Sequence, residues 1–256
     1  MDSGTATAHA DALATAFAAA LRACGGVPAP QAERPMLAVF CDLHAWRPWR
    51  AGAWAWLDDG ARARVERLRE AGDRDERALA YALHRLLAAA WLDRPVAEVL
   101  PGRDGEGRPH VLGAPDAFCT SISRPRGCAA LLVGERGPAG IDLEPLSHAG
   151  IMEEIAGLAL HPDERARLEP LQGPARARTL LETWVRKEAY LKAEGVGLQR
   201  APAGFAAPAD SVLPAARSRT GLVLRMLDAG PRHAAAVAVP PGVRVQSSWL
   251  SPPASP

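Results

Sequence analysis

The chain has 256 residues, of which 48% are hydrophobic and 23% charged, so it is long enough to fold into one large or two small domains. Its 30 Lys and Arg against 29 Asp and Glu exclude a strongly basic nucleic-acid-binding protein. No run of about 18 apolar residues is present, and the four cysteines form no C-x-x-C pair. We expect a cytoplasmic protein in a reducing compartment that binds neither nucleic acid nor membrane.

The first predicted element is an Ala-rich stretch, Thr5–Ala23, which indicates a helix or a partly ordered extension. It fails as a signal peptide because Asp2 precedes it and Asp11 and Arg22 interrupt it. Apolar runs and stripes bounded by Gly and Pro define the next elements. They are a strand at Met36–Asp42, helices at Asp58–Glu70 and Arg74–Trp91, a loop at Asp104–Pro115, and strands at Cys119–Ser123, Cys128–Val133 and Ala139–Glu144.

The later elements begin with a helix near Pro162, whose first turn holds acids that suit the helix dipole. Ala175–Glu194 is the clearest helix in the chain, and Gly195 ends it. Three strands and a frayed Pro-rich tail complete the chain. They are Leu222–Leu227, Ala234–Val239, Val243–Trp249 and the tail Ser251–Pro256.

A first candidate site is the strand Gly140–Glu144. Because side chains alternate along a strand, Asp142 and Glu144 point to one side, and Ile141 and Leu143 to the other. Two carboxylates on one side suit a hard cation such as Mg²⁺. The alternative is a solvated strand face.

A second candidate is the helical segment Trp184–Lys192, followed by Gly195-Val-Gly-Leu. Glu188 and Lys192 lie one turn apart on one face. They form either an ordinary surface ion pair or part of a metal–phosphate site, in which the carboxylate binds the cation and the ammonium neutralises phosphate oxygens.

A third candidate combines Gly105-Glu-Gly-Arg-Pro109 with Thr120-Ser-Ile-Ser-Arg124. Glycines let a backbone approach a ligand, and Arg and Ser donate hydrogen bonds to phosphate. Either fragment alone is equally typical of an ordinary loop.

Taken in order, these motifs resemble the 4'-phosphopantetheinyl transferases of the Sfp type. That family carries a Gly-Ile-Asp-Ile-Glu strand and a Trp-x-x-Lys-Glu-(Ala/Ser)-x-x-Lys helix that ends in Gly-x-Gly-Leu. The resemblance covers Met36 to Phe205, with Trp249 as an alternative end, whereas residues 1–34 have no counterpart.

The resemblance implies an α/β (α+β) fold in which two similar halves form a pseudo-dimer, with coenzyme A and Mg²⁺ in the cleft between them. It implies a monomeric enzyme that moves phosphopantetheine from coenzyme A to a serine of an acyl- or peptidyl-carrier protein and releases 3',5'-ADP. We divide the chain into an extension (1–34), an N-terminal half (35–138), a C-terminal half (139–250) and a tail (251–256).

The resemblance also assigns site residues. It makes Asp142, Glu144 and Glu188 the Mg²⁺ ligands, and Glu188, Lys192 and Asp142 the catalytic groups, with Lys192 on the pyrophosphate. Arg124 stands where the family has His, and Ser121 where it commonly has Asn. The coenzyme A contacts are Arg64, Arg77, Arg108, Ser123, Arg124, Asp142 and Lys192.

Several alternatives stay open at this point. Arg64, Arg67 and Arg77 are equally typical of a solvated helix face, and Arg124 of an exposed turn before Pro125. The chain could instead be a non-catalytic carrier-binding relative or another Mg²⁺-dependent nucleotide hydrolase. Because carrier proteins of this class are generally acidic, we expect docking on basic residues. These are Arg165, Arg167, Arg176 and Arg178.

Overall fold

The computed structural model describes residues 3–31, 33–105 and 107–254. Within them the α-helices are α1 (Ser3–Ala23), α2 (Arg50–Ala53), α3 (Asp59–Glu66), α4 (Ala71–Leu92), α5 (Ala149–Ala159), α6 (Pro162–Leu168) and α7 (Gly173–Glu194). The strands are β1 (Met36–Asp42), β2 (Pro101–Arg103), β3 (Pro109–Val111), β4 (Phe118–Ser123), β5 (Cys128–Glu135), β6 (Gly140–Pro145), β7 (Val212–Ala215), β8 (Ser218–Leu227), β9 (His233–Val239) and β10 (Val245–Trp249). The fold is of the mixed α+β class, as predicted.

The chain divides into two compact units. The first contains the described residues within Met1–Asp104, Pro109–Gly134 and Arg244–Pro256, and the second those within Gly105–Arg108 and Glu135–Val243. Among the described residues, no helix combines the length and apolar character needed to cross a membrane.

The first unit is built on a four-stranded sheet of order β10-β1-β5-β4. Every residue of β1 except Asp42 is buried, because helices cover the sheet and its strands can be apolar throughout. β1 pairs antiparallel with β5 and parallel with β10. The core also takes Leu13 and Phe17 from α1 and Leu79 and Leu83 from α4.

Two predictions about this unit were wrong. The segment 1–34 is not a separate extension, since α1 shares the core and the Trp56 Nε1 donates to the Ala10 carbonyl at 3.1 Å. The last strand does not belong to the C-terminal half, because β10 pairs with β1 over Met36–Phe40. Local sequence patterns carry no record of such distant pairing.

The second unit is built on an antiparallel sheet of order β6-β9-β8-β7. α7 packs against it and supplies Leu180, Val185 and Leu191 to the core. β9 contributes Ala234, Ala236 and Ala238. Such small side chains let the helix approach the sheet closely.

Each unit repeats one chain path. When the intervening short helices, the β2–β3 hairpin and β7 are left out, a first strand is followed by a helix of 22 residues and then by two strands, of which the last pairs with the first. This path is β1-α4-β4-β5 in the first unit and β6-α7-β8-β9 in the second. The arrangement of the two halves as a pseudo-dimer stays a prediction.

Most predicted elements are present, with boundaries that differ by a few residues. The predicted loop at Asp104–Pro115 is wrong, because β3 lies within it and pairs with β2 in a hairpin. The predicted helix Asp58–Glu70 ends at Glu66. Helix α5 and strand β7 were not predicted. Glu106 and residues 255–256, which entered the third candidate motif and the tail, lie outside the described residues.

β6 and α7 meet at Gly140. A Cβ atom there would lie 2.1 Å from the Ala189 carbonyl oxygen and 2.7 Å from the Ala193 amide nitrogen, both on the backbone of α7. No side chain fits this contact, so glycine allows the strand to lie directly on the helix.

We therefore expect Gly140→Ala to push β6 away from α7 and to reduce the free energy of unfolding by about 1–3 kcal/mol. Gly157→Ala is the matched control, since the helical Gly157 has no atom within 4 Å of an added Cβ and alanine favours helix by about 0.5–1 kcal/mol. Urea unfolding measures both. An unchanged midpoint for Gly140→Ala would show that the contact is not restrictive.

Candidate functional site

The predicted acidic site is assembled where β6 meets α7. Asp142 is 3% exposed, and its Oδ1 accepts from the Lys192 Nζ at 2.6 Å. The same Nζ donates to the Ile141 carbonyl at 3.1 Å. Lys192 thus bonds across to β6. The alternative of a solvated strand face is wrong for Asp142, and so is that of an ion pair between Glu188 and Lys192 along the helix.

Glu144 and Glu188 lie close enough to Asp142 for its negative charge to affect their pKa values. Burial raises the pKa of Glu188 to about 7, with the negative charges of Asp142 and Glu144 adding to the rise and Lys192 opposing it. Burial and Asp142 also raise the pKa of Glu144, although His148 and Lys192 oppose this. The Glu144 Oε2 lies 2.8 Å from the His148 Nδ1. The site therefore concentrates negative charge.

The donor chemistry of this site fits Mg²⁺, which prefers oxygen ligands and commonly uses one or two carboxylates. Carboxylates that raise one another's pKa gain when a cation binds between them. Within the described part of the chain, no three His, Cys, Asp or Glu side chains are already arranged to hold a metal ion. Asp142 and Glu144 instead contact Lys192 and His148.

The second lysine of the helical motif has a different environment. The Lys187 side chain is fully buried and lies 2.8 Å from the Glu164 Oε2. Its Nζ also donates to the carbonyls of Pro202 and Phe205. Glu164 in turn accepts from the Ala207 amide at 2.7 Å. Lys187 thus ties α7 to α6 and to the chain after α7, a structural task that the motif alone did not reveal.

The first unit gathers three of the predicted coenzyme A contacts around Tyr81. The Arg124 Nη1 donates to the Tyr81 hydroxyl at 3.0 Å, and its guanidinium lies 4.8 Å from the ring centroid. The Arg64 guanidinium lies 5.5 Å from the same centroid. Burial alone would raise the pKa of Tyr81, but Arg124, Arg64 and Arg77 together lower it to about 8. These arginines are therefore not a solvated face, nor is Arg124 an exposed turn residue.

The remaining predicted contacts are distributed differently. Ser123 is buried at the end of β4, next to Arg124. Arg108 belongs to the second unit. Arg67, also considered, is exposed at the end of α3. Sequence reasoning missed Tyr81 and His148. Tyr81 follows the predicted site residue Arg77 by one turn of α4, and His148 follows Glu144 by four residues.

The predicted basic docking residues are only partly available. Arg176 forms a salt bridge with Glu153 at 2.5 Å, and Arg178 one with Glu182 at 2.9 Å. Arg165 and Arg167 are exposed on α6. Two of the four positive charges are thus balanced by acids, and the expected basic surface is smaller than predicted.

Comparison with known proteins bears on the second unit. Residues 138–235 match the model of the 4'-phosphopantetheinyl transferase superfamily. This stretch, which holds Asp142, Glu144, Glu188 and Lys192, is therefore similar to that superfamily. No curated protein matches the chain.

One solved structure that resembles the chain is a holo-(acyl-carrier-protein) synthase from Bacillus anthracis str. Ames in complex with CoA (3',5'-ADP). The identity is 21%, the TM-score is 0.30, and the match covers 40% of this chain and 92% of that one. A likeness at this level carries no argument about the present chain.

The two ion pairs on α7 should differ greatly in their contribution to stability. Lys187→Met leaves a buried Glu164 charge without its cation, and we expect a loss of about 3–5 kcal/mol in the free energy of unfolding. Arg178→Met breaks a partly exposed pair on the same helix and should cost less than about 1 kcal/mol. Denaturant unfolding compares the two variants. Equal losses would contradict a structural role for Lys187.

Proposed function

We propose that the protein is a 4'-phosphopantetheinyl transferase of the Sfp type, its two halves arranged as a pseudo-dimer. It transfers the phosphopantetheine group of coenzyme A to a serine of an acyl- or peptidyl-carrier protein. The observation that carries the proposal is the junction of β6 and α7, which brings three acids and Lys192 together inside the stretch similar to the superfamily. Such a mixture of acids and one ammonium suits the cleavage of a pyrophosphate.

Asp142, Glu144 and Glu188 would hold Mg²⁺. When bound, the ion supplies positive charge that neutralises pyrophosphate oxygens. The structure supports this assignment through the raised pKa of Glu188, because a site that disfavours its own negative charge gains from a cation.

The transfer forms a bond between the carrier serine oxygen and the phosphorus next to pantetheine. The bond from that phosphorus to the 3',5'-ADP oxygen breaks, and its electron pair leaves with 3',5'-ADP. Glu188, through water, takes the serine proton. Lys192 neutralises the charge that develops on the leaving group, since its side chain keeps 27% exposure beside Asp142. Positioning and charge neutralisation supply most of the acceleration in such reactions.

Four arginines and Ser123 bind coenzyme A. Arg124, in place of the family's histidine, grips the 3'-phosphate, and Arg64 and Arg77 add positive charge. Arg108 and Ser123 complete the contacts. The exposed Arg165 and Arg167 attract an acidic carrier. We further propose that the enzyme acts as a monomer in the cytoplasm.

Mass spectrometry of a carrier protein incubated with the enzyme, coenzyme A and Mg²⁺ tests the proposal. We expect the carrier to gain the mass of one phosphopantetheine. Glu188→Gln should lower the rate by about 100-fold or more, the usual effect of removing a general base. Glu182→Gln, six residues earlier on α7 and paired with Arg178, should keep the wild-type rate.

Other results would identify the competing functions. Loss of coenzyme A without a gain in carrier mass would indicate a nucleotide hydrolase. Carrier binding with neither change would indicate a non-catalytic relative. Full activity in EDTA would contradict the metal assignment.

A further inference from the structure

Arg124 is fixed by one side chain. Its Nη1 bonds to the Tyr81 hydroxyl, and its guanidinium lies on the face of the Tyr81 ring. The Arg124 Nε is buried and has no hydrogen-bond partner in the described part of the chain. Arg124 also lines a groove of about 300 Å³ together with Arg77 and Arg126. The Arg124 guanidinium, a hydrogen-bond donor, is thus held beside the groove by the hydroxyl and ring of Tyr81.

The surroundings of this pair carry excess positive charge. Arg64 from α3, Arg77 from α4 and Arg103 at the end of β2 act on Tyr81 or Arg124. Burial lowers the pKa of Arg124 to about 10, and repulsion from Arg77 and Arg103 adds to the change, against the opposing effect of Tyr81. Burial, and to a smaller extent the positive charges of Arg124 and Arg103, lower the pKa of His84 to about 4. His84 is therefore neutral at pH 7.

The nearby carboxylates have other partners. Asp73 and Glu76 line the groove, but Asp73 faces Arg126 at 3.5 Å and Glu76 accepts from the Gly127 amide at 2.9 Å. Asp58 caps α3 by accepting from the Ala61 amide at 2.8 Å. Of the arginines near Tyr81, Arg77 and Arg124 line the groove, and their positive charge suits an anionic ligand there.

We propose that Tyr81 is a positioning residue whose ring and hydroxyl hold the Arg124 guanidinium at the groove, where it grips a phosphate group of the nucleotide. This inference rests on the proposed function, which supplies the nucleotide, and adds a residue with no part in the motifs. Because the Tyr81 hydroxyl and ring contact the Arg124 guanidinium, Tyr81 acts through Arg124 rather than by contact with the phosphate.

A phosphate on Arg124 and a negative charge on Tyr81 would compete for the same positive field. Phosphate binding should therefore raise the pKa of Tyr81 above its value of about 8. By linkage, ionisation of Tyr81 as the pH rises through 8 should weaken phosphate binding. The chain has two tyrosines, and the hydroxyl of the other, Tyr190, also accepts from an arginine, the Arg200 Nη1 at 3.0 Å. The tyrosinate absorption of Tyr81 is therefore identified as the part that Tyr81→Phe removes.

The test titrates the full chain, without carrier or Mg²⁺, with 3',5'-ADP and with 5'-ADP, which lacks the 3'-phosphate. Calorimetry gives the affinities, and tyrosinate absorption gives the ionisation of Tyr81. Tyr81→Phe keeps the ring and removes only the hydroxyl. It should abolish the absorption step near pH 8 and weaken 3',5'-ADP binding by about 5- to 15-fold, the usual effect of one hydrogen bond. Binding of 5'-ADP should stay unchanged.

We also expect 3',5'-ADP to move the wild-type absorption step to higher pH, and its affinity to fall between pH 7.5 and 9 in wild type but not in Tyr81→Phe. The inference would be overturned if Tyr81→Phe bound 3',5'-ADP as tightly as the wild type, or if it lost equal affinity for both nucleotides. An absorption step that stays at the same pH when 3',5'-ADP binds would also overturn it. Phosphopantetheine transfer combined with any of these results would leave the proposed function intact. Absence of 3',5'-ADP binding to the wild type would overturn the inference alone if phosphopantetheine is still transferred, and both proposals if it is not.

Discussion

The close approach of β6 to α7 at Gly140 is the constraint on which the second unit depends. With the strand backbone seated on the helix backbone, the next residues of β6 lie beside the last turns of α7. Asp142 then meets Lys192, and Glu188 enters the field of both β6 acids. The chemistry of the site is therefore a consequence of backbone packing, and a single methyl group would disturb it.

The two lysines of α7 show how one motif divides its tasks. Lys187 is buried among Glu164 and two backbone carbonyls, where its charge holds α6 and the following chain to the helix. Lys192, five residues later on α7, keeps partial exposure and bonds to Asp142 of β6. Burying an ammonium is costly unless it is paired and fully hydrogen-bonded, which explains why Lys187 has three partners. Of the two lysines, the partly exposed Lys192 is therefore the one suited to contact a ligand.

Much of this organisation could be predicted from the sequence because the signals are local. The alternation in Gly140–Glu144 predicted β6, and the long periodic segment closed by Gly195 predicted α7. The parallel pairing of β10 with β1 could not be predicted, since it joins residues more than 200 positions apart. The task of Lys187 and the anchoring of Arg124 by Tyr81 also depend on tertiary contacts. Arg77 and Tyr81, one turn apart on α4, were the available hint.

The proposed cation site consists of Asp142, Glu144 and Glu188. It can be tested by titrating the protein with Mn²⁺, a substitute for Mg²⁺, and following the free ion by electron paramagnetic resonance. We expect one bound ion in the wild type and in Glu182→Gln, and strongly weakened binding in Glu188→Gln. Mn²⁺ binding that is unchanged in Glu188→Gln, or absent from the wild type, would contradict it.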